Sequence, residues 1–172
     1  MNKSETKSPW LWVPSLYFAQ AIPYVVAMHL SVIMYKDLGV SNSDIAFYTS
    51  LLYLPWVIKP LWSPVVDMFG TKRRWTVLLQ LAVAASLVAV GTVLHLPAFF
   101  SVSLAVMWLM AFCSATHDIS ADGFYMLGLR QKDQAAFVGV RSTFYRLASL
   151  AGQGPLVVLA GYLAISLGDA HQ

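Results

Sequence analysis

Lys59, Asp118, Asp122, Arg141 and Arg146 all lie within, or at the ends of, long apolar runs. A charge at the middle of a membrane helix costs ~2.5–3.5 kcal/mol on insertion scales, so such residues face a polar cavity, pair with one another, or mark the path of an ion or solute. Ser114, Asp118 and Asp122 stand at i, i+4 and i+8, one face of a single helix. Arg146, Ser149 and Gln153 form a similar stripe further along. A carboxylate beside an arginine stays ionised at depth, whereas a desolvated carboxylate without such a partner holds a proton, and proton coupling uses both states. Lys59, with Ser63 one turn on, is placed either to bind an anionic group or to snorkel its ammonium to the interface. Gln20 and His29 are further candidates for the same cavity, although single polar residues also serve as glue between packed helices. The competing reading is architectural: Asp118, Asp122, Arg141, Arg146 and the loop arginines form a charge network on the inner side.

The elements that must position these groups are hydrophobic stretches near 10–35, 45–66, 75–96, 98–127 and 137–167. A bilayer core is crossed by ~20 apolar residues in a helix, and only structures that satisfy their own backbone can cross it, so five transmembrane helices are expected. Charged residues make up only 11% of the 172-residue chain, well below the ~25% of soluble domains. Lys3 and Lys7 precede the first stretch, Lys72, Arg73 and Arg74 fill the second connection, and Arg130 and Lys132 fill the fourth. The first connection holds Lys36 alone, and the third, around His95–Pro97, has no Lys or Arg. The positive-inside rule then predicts a cytoplasmic N-terminus and a periplasmic C-terminus after five crossings. The basic residues serve topology, and nothing in their placement argues for nucleic acid.

Other function classes fare poorly. The first apolar run exceeds the ~7–15 residues of a signal peptide, so it is expected to stay as a helix. Cys113 is the single cysteine, which excludes an intramolecular disulfide, and its apolar setting points to packing. His117 and Asp118 are adjacent and ~100° apart on a helix, a poor arrangement for one metal ion, and no metal or cofactor is expected. Asp122-Gly123 matches the start of the Asp-Gly-x-x-Ala-Arg motif of membrane phosphatidyltransferases, but Met126 and Leu127 occupy the Ala-Arg positions. An enzyme is therefore not expected. Pro55, Pro60 and Pro64 deprive the second stretch of backbone donors and predict a kinked helix. Ser41 or Ser43 is placed to cap its start. Ala148 and Gly152, with Gly161 beyond, give the fifth stretch a small-residue surface for close helix packing.

The segment Ile58-Lys-Pro-Leu-Trp-Ser-Pro-Val-Val-Asp-Met-Phe-Gly-Thr-Lys-Arg-Arg resembles the signature loop of the major facilitator superfamily, roughly G-x-x-x-D-R/K-x-G-x-R/K-R/K. Asp67, Gly70, Lys72 and Arg73 fall on its Asp, second Gly and basic positions, with Arg74 following; Ser63 and Met68 depart from it. Gly70 permits the tight reversal between antiparallel helices. Three blocks narrow the resemblance: Lys59-Pro-Leu-Trp-Ser-Pro-Val-Val-Asp, Ala111-Phe-Cys-Ser-Ala-Thr-His-Asp-Ile-Ser-Ala-Asp and Tyr145-Arg-Leu. In order and spacing they are similar to the AmpG-type anhydromuropeptide permease branch. The resemblance covers nearly all of this chain and the first five of that family's twelve or more helices. It implies proton-driven uptake of cell-wall sugar-peptide fragments across a bacterial inner membrane; the branch also holds an acetyl-coenzyme A transporter, so membership leaves the substrate open.

The expected protein is thus an all-α integral membrane protein, a partial N-terminal half of a major facilitator-type bundle. A tail over 1–9 precedes a helical domain over 10–168 and a C-terminal end over 169–172. Such carriers hold solute near the midplane between two helical halves and expose it alternately to either side. Asp118, Asp122, Arg146, Lys59, Gln20 and Gln153 are the expected proton and substrate pathway, and Asp67, Gly70, Lys72, Arg73 and Arg74 the gating loop. The third stretch, uncharged from Trp75 to Leu94, is expected to face lipid. Expected partners are the bilayer, a small solute with protons, and either the missing C-terminal helices or another chain. The alternative is a scaffold or assembly subunit that does not transport.

Overall fold

A computed structural model describes residues 8–159 and 161–162 of the chain. The expected tail is almost wholly outside the described residues, as are most of the last part of the fifth stretch and the C-terminal end. Every regular element among the described residues is helical. A short 3-10 turn at Pro9–Leu11 leads into α1 (Val13–Val25), a π turn (Val26–Leu30) and α2 (Ser31–Asp37). Together they form the first rod. Its π turn follows Pro23, which has no backbone donor to continue the ladder, and Ser31 returns its hydroxyl to the Ala27 carbonyl at 2.6 Å.

The second stretch departs from a single kinked helix. It divides into α3 (Asn42–Leu51), α4 (Leu54–Ile58), a 3-10 turn at Lys59–Leu61 and α5 (Ser63–Met68). Pro55, Pro60 and Pro64 each occupy the first turn of one of the last three pieces. There the missing N–H leaves nothing unpaired, so each proline starts a new piece instead of bending an old one. Ser41 caps α3, accepting from the Asp44 amide at 3.2 Å, while Gly39 (φ 78°) makes the preceding turn.

The third and fourth stretches form long helices, α6 (Lys72–Val93) and α7 (Phe99–Gly128). The fifth begins earlier than expected, as α8 (Gln131–Gln153), and breaks at Gly154 before Pro155. By length and apolarity three rods qualify as membrane spans: Pro9–Asp37, α6 and α7. The second stretch falls short because it is broken, and α8 because it carries Lys132, Asp133, Arg141 and Arg146. The molecule is a multi-pass helical membrane protein, and two of its five expected crossings lack the form of a plain apolar rod.

α6 packs along α7, α1 packs along α8, and α1 and α7 join the two pairs; α4 and α5 lean on α7. Two apolar clusters fasten this arrangement at different depths. Val13, Leu16 and Tyr17 of α1 pack with Ala121, Tyr125 and Leu129 around the C-terminal end of α7. Ala27, Tyr35, Ile45, Leu52, Val90, Met107 and Met110 make the second cluster toward its other end. α6 buries Thr76, Leu79, Ser86 and Val90 and exposes Val77, Leu78, Leu81 and Val88, the pattern of a helix with one face to lipid.

Candidate functional site

Between the two apolar clusters lies a polar layer: Gln20 from α1, and Ser114, His117 and Asp118 from α7, all buried. Asp118 is ten residues before the end of α7, about 15 Å along the axis of a helix about 45 Å long. Its carboxylate receives the Lys59 ammonium at 3.4 Å. Lys59 can reach inward because the proline-broken second stretch places it in a 3-10 turn against α7. The pair is uneven: the Asp118 side chain is 11% exposed and that of Lys59 34%. The acid is thus enclosed while the ammonium is partly exposed. Gln20 adjoins Asp118. Among the described residues Gln20 Oε1, Ser114 Oγ and His117 Nε2 are buried without a hydrogen-bond partner, a concentration of unmet polar groups where lipid could satisfy none.

Asp122, one turn further, belongs to a different set. Tyr17 of α1 donates to Oδ1 at 2.8 Å, and Arg141 of α8 donates to the same oxygen at 2.9 Å. The Arg141 guanidinium also lies over the Tyr17 ring at 4.5 Å and the Tyr125 ring at 5.1 Å. Cation, carboxylate and two aromatic faces therefore tie α1, α7 and α8 together at one level. Tyr125 donates to the Gln134 carbonyl at 2.5 Å, and the Gln134 amide donates to the Met126 and Leu129 carbonyls, closing the end of α7. The expected face of Ser114, Asp118 and Asp122 exists, but its two carboxylates answer to different cations.

The loop motif is latched. Lys72 pairs with Asp67 and reaches the Val66 carbonyl at 3.4 Å. Its aliphatic stem crosses α7 at Gly123, where a Cβ would lie 2.8 Å from Lys72 Cε, so any larger residue there would make the lysine shift. Gly70 has φ 74° and makes the reversal, Thr71 caps α6 by accepting from the Arg74 amide at 3.3 Å, and Trp75 donates to the Phe69 carbonyl at 2.5 Å. Arg73 and Arg74 are exposed and line a shallow basic hollow with Thr71, Val77 and Leu78.

The remaining expected residues are spread out. Gln153 and His29 converge on a crevice of about 340 Å³ with Met28, Val32, Ile33 and Val157. Arg146 is exposed on α8, with no carboxylate in salt-bridge range among the described residues. Its neighbour Tyr145 lies in the vicinity of Asp118, Tyr24 and Tyr53. Tyr17, Tyr24, Tyr53 and Trp56 were not anticipated from the sequence, and Tyr145 entered only as part of the Tyr145-Arg-Leu block. A signal existed: Tyr17, Gln20 and Tyr24 stand at i, i+3 and i+7, one stripe of α1, and Tyr53, Trp56 and Lys59 follow at intervals of three.

Comparison with known proteins agrees with the motifs. Residues 20–167 match the BT1 family, which is related to the major facilitator superfamily. The anhydromuropeptide permease of Escherichia coli strain K12 is 28% identical over 159 residues, covering 84% of this chain and 30% of the permease. An uncharacterized protein of Schizosaccharomyces pombe is 29% identical over 138 residues, covering 74% of this chain and 26% of its own length. The chain thus spans less than a third of these relatives. No solved structure matches it.

Proposed function

The chain belongs to the BT1 family, and from that premise we propose that it is the N-terminal part of a secondary active transporter that crosses the membrane five times and takes up muropeptide-like or related solutes with protons. The permease relative supports the transport class; no catalytic chemistry is needed for it. The observation that carries the mechanism is the Lys59–Asp118 pair, whose carboxylate is enclosed among unpartnered polar groups away from the ends of α7. A charge there is tolerable only while it is paired or wet. When the helices rock and Lys59 is drawn away, Asp118 must either meet water or take a proton. Alternating exposure of Asp118 to the two sides would then carry that proton inward with the solute.

Lys3, Lys7, Lys72–Arg74, Arg130 and Lys132 support a cytoplasmic N-terminus in the cytoplasmic (inner) membrane of a bacterium. The Lys72–Asp67 latch, seated on Gly123, is suited to hold the inner side of the carrier in one of its two states, and its release would change their balance. The Asp122–Arg141–Tyr17 set holds three helices together as the carrier rocks.

The test is uptake in proteoliposomes by the complete carrier that contains this chain, with and without an inward proton gradient. Asp118→Asn keeps the shape but cannot titrate. It should abolish gradient-driven accumulation while leaving solute exchange, whereas Asp67→Asn should change rates and keep coupling. Normal accumulation by Asp118→Asn would rule out the proton role.

A further inference from the structure

α1 and α6 both pack on α7 but scarcely touch each other, and a trough runs between them. One part of it is a cavity of about 290 Å³ bounded by Ile22 and Pro23 of α1, Val83 and Leu87 of α6, and His117 of α7. A second cavity, of about 400 Å³, lies between Ser15 of α1, Thr76 of α6 and Phe124 of α7. The two share Ala19 and Gln80, and the second shares Arg73 and Val77 with the basic hollow at the start of α6. Together they make one groove that follows α6 from Arg73 to Leu87, about 21 Å of helix. Most of its lining is apolar. His117 is the exception: it is only 3% exposed, and its Nε2 has no hydrogen-bond partner. A buried polar atom at the wall of a groove asks for a partner that the groove's occupant must bring.

We propose that the trough seats a further transmembrane helix of the same polypeptide, one that follows residue 172 and sets a hydroxyl or amide side chain against His117 Nε2. A lipid tail fills an apolar groove equally well but offers nothing to a buried imidazole nitrogen. A helix brings apolar side chains for Ile22, Val83 and Leu87 and a polar one for His117, and single polar residues of this kind fasten membrane helices to one another. Ser, Thr, Asn and Gln each donate and accept, so any of them serves either tautomer of the imidazole. The ends match as well. On the topology proposed above α8 runs outward, so the next crossing runs inward and finishes beside Arg73 and Arg74, where the partial negative charge of a helix C-terminus meets two cations. This chain covers 30% of the Escherichia coli permease, whose remaining length is more than such a helix requires. The seat rests on the partial-carrier reading above and adds to it where the remainder docks and what side chain it brings.

The experiment is photo-cross-linking in the complete carrier, with p-benzoylphenylalanine introduced at Val83 inside the trough and, separately, at Leu81, which is 62% exposed on another face of α6. After irradiation in the membrane and digestion, mass spectrometry identifies what each probe has joined. The Val83 probe should join a peptide from beyond residue 172 of the same polypeptide, and the Leu81 probe should join lipid. Lipid at Val83, a peptide of a second copy, a peptide from within residues 1–172, or no product there overturns the seat. A second measurement does not depend on the bulky probe. His117→Leu should shift the unfolding equilibrium of the complete carrier by about tenfold, the scale of one hydrogen bond whose partner is left unmet, and His117→Gln should restore it to within about threefold. A His117→Leu carrier as stable as wild type means that no side chain reaches Nε2, and it overturns the proposal. Cross-linking as expected in a protein that shows no solute uptake overturns the carrier and leaves the seat standing; uptake with lipid at Val83 does the reverse.

Discussion

Gly152 of α8 packs tightly against Val25 of α1, and a single methyl there gives a measurable test of the packing. A Cβ at residue 152 would lie 2.6 Å from Val25 Cγ1 and 3.3 Å from Val25 Cβ. The first distance is below any tolerable contact, so something must give. Val25 is β-branched in a helix, where one rotamer dominates, and turning it off that rotamer costs about 0.5–1.5 kcal/mol. If the helices separate instead, packing along α1 and α8 loosens, and overpacking of this kind typically costs about 1–3 kcal/mol. Against this, alanine is favoured over glycine in a helix by about 0.5–1 kcal/mol. Where the helices separate, Gly152→Ala should therefore destabilise the chain by up to about 2.5 kcal/mol net, with about 1 kcal/mol, about a fivefold shift in the folding equilibrium, near the centre of the range. Val25→Ala removes Cγ1 and leaves a space that the new methyl fills. The double variant should recover at least about 0.5 kcal/mol relative to the sum of the single effects, a coupling expected only of residues in contact. The assay is unfolding of the purified chain in mixed micelles by increasing sodium dodecyl sulfate, followed by helix signal and tryptophan fluorescence. If Gly152→Ala costs the same in the Val25→Ala background as in wild type, the close crossing of α1 and α8 is not where the structure places it.

Tyr17→Phe removes the 2.8 Å donor to Asp122 and leaves Arg141 in place; a loss of about 1.5 kcal/mol in the same assay is expected, at the low end for a bond to a charged group. Gly70→Ala forces a Cβ into a φ of 74° and should cost about 1–2 kcal/mol, with slower uptake by the complete carrier; uptake and stability as in wild type would show that the reversal needs no glycine. Cysteines placed at Ser41 and Thr71 in a Cys113→Ala background should report opposite faces, with residue 41 labelled from outside by an impermeant maleimide and residue 71 protected; the reverse would invert the proposed topology. On the proposed partial-carrier reading the purified 172-residue chain alone should show no saturable uptake, and robust proton-dependent uptake by it would favour a homo-oligomer.

Local chemistry alone determined much of this protein. Apolar runs longer than a bilayer needs placed the first, third and fourth rods to within a few residues, because backbone satisfaction in hydrocarbon leaves only the helix. Gly70 was legible as the reversal and Ser41 or Ser43 as a cap, of which the structure uses Ser41, since a positive φ and an unpaired helix amide are problems solved within a few residues. Spacing also put Asp118 and Asp122 on one helical face. It did not say which cation each would meet. Lys59 lies 59 positions from Asp118, and Arg141 lies 19 positions from Asp122, distances over which no periodicity carries information. Those partners follow from how α1, α7 and α8 rotate about their axes as they pack, and from the proline-broken second stretch that turns Lys59 inward. The Tyr24–Trp56 contact has the same origin: each is an ordinary membrane-helix residue alone, and only the packing of α1 against α4 brings the two rings together.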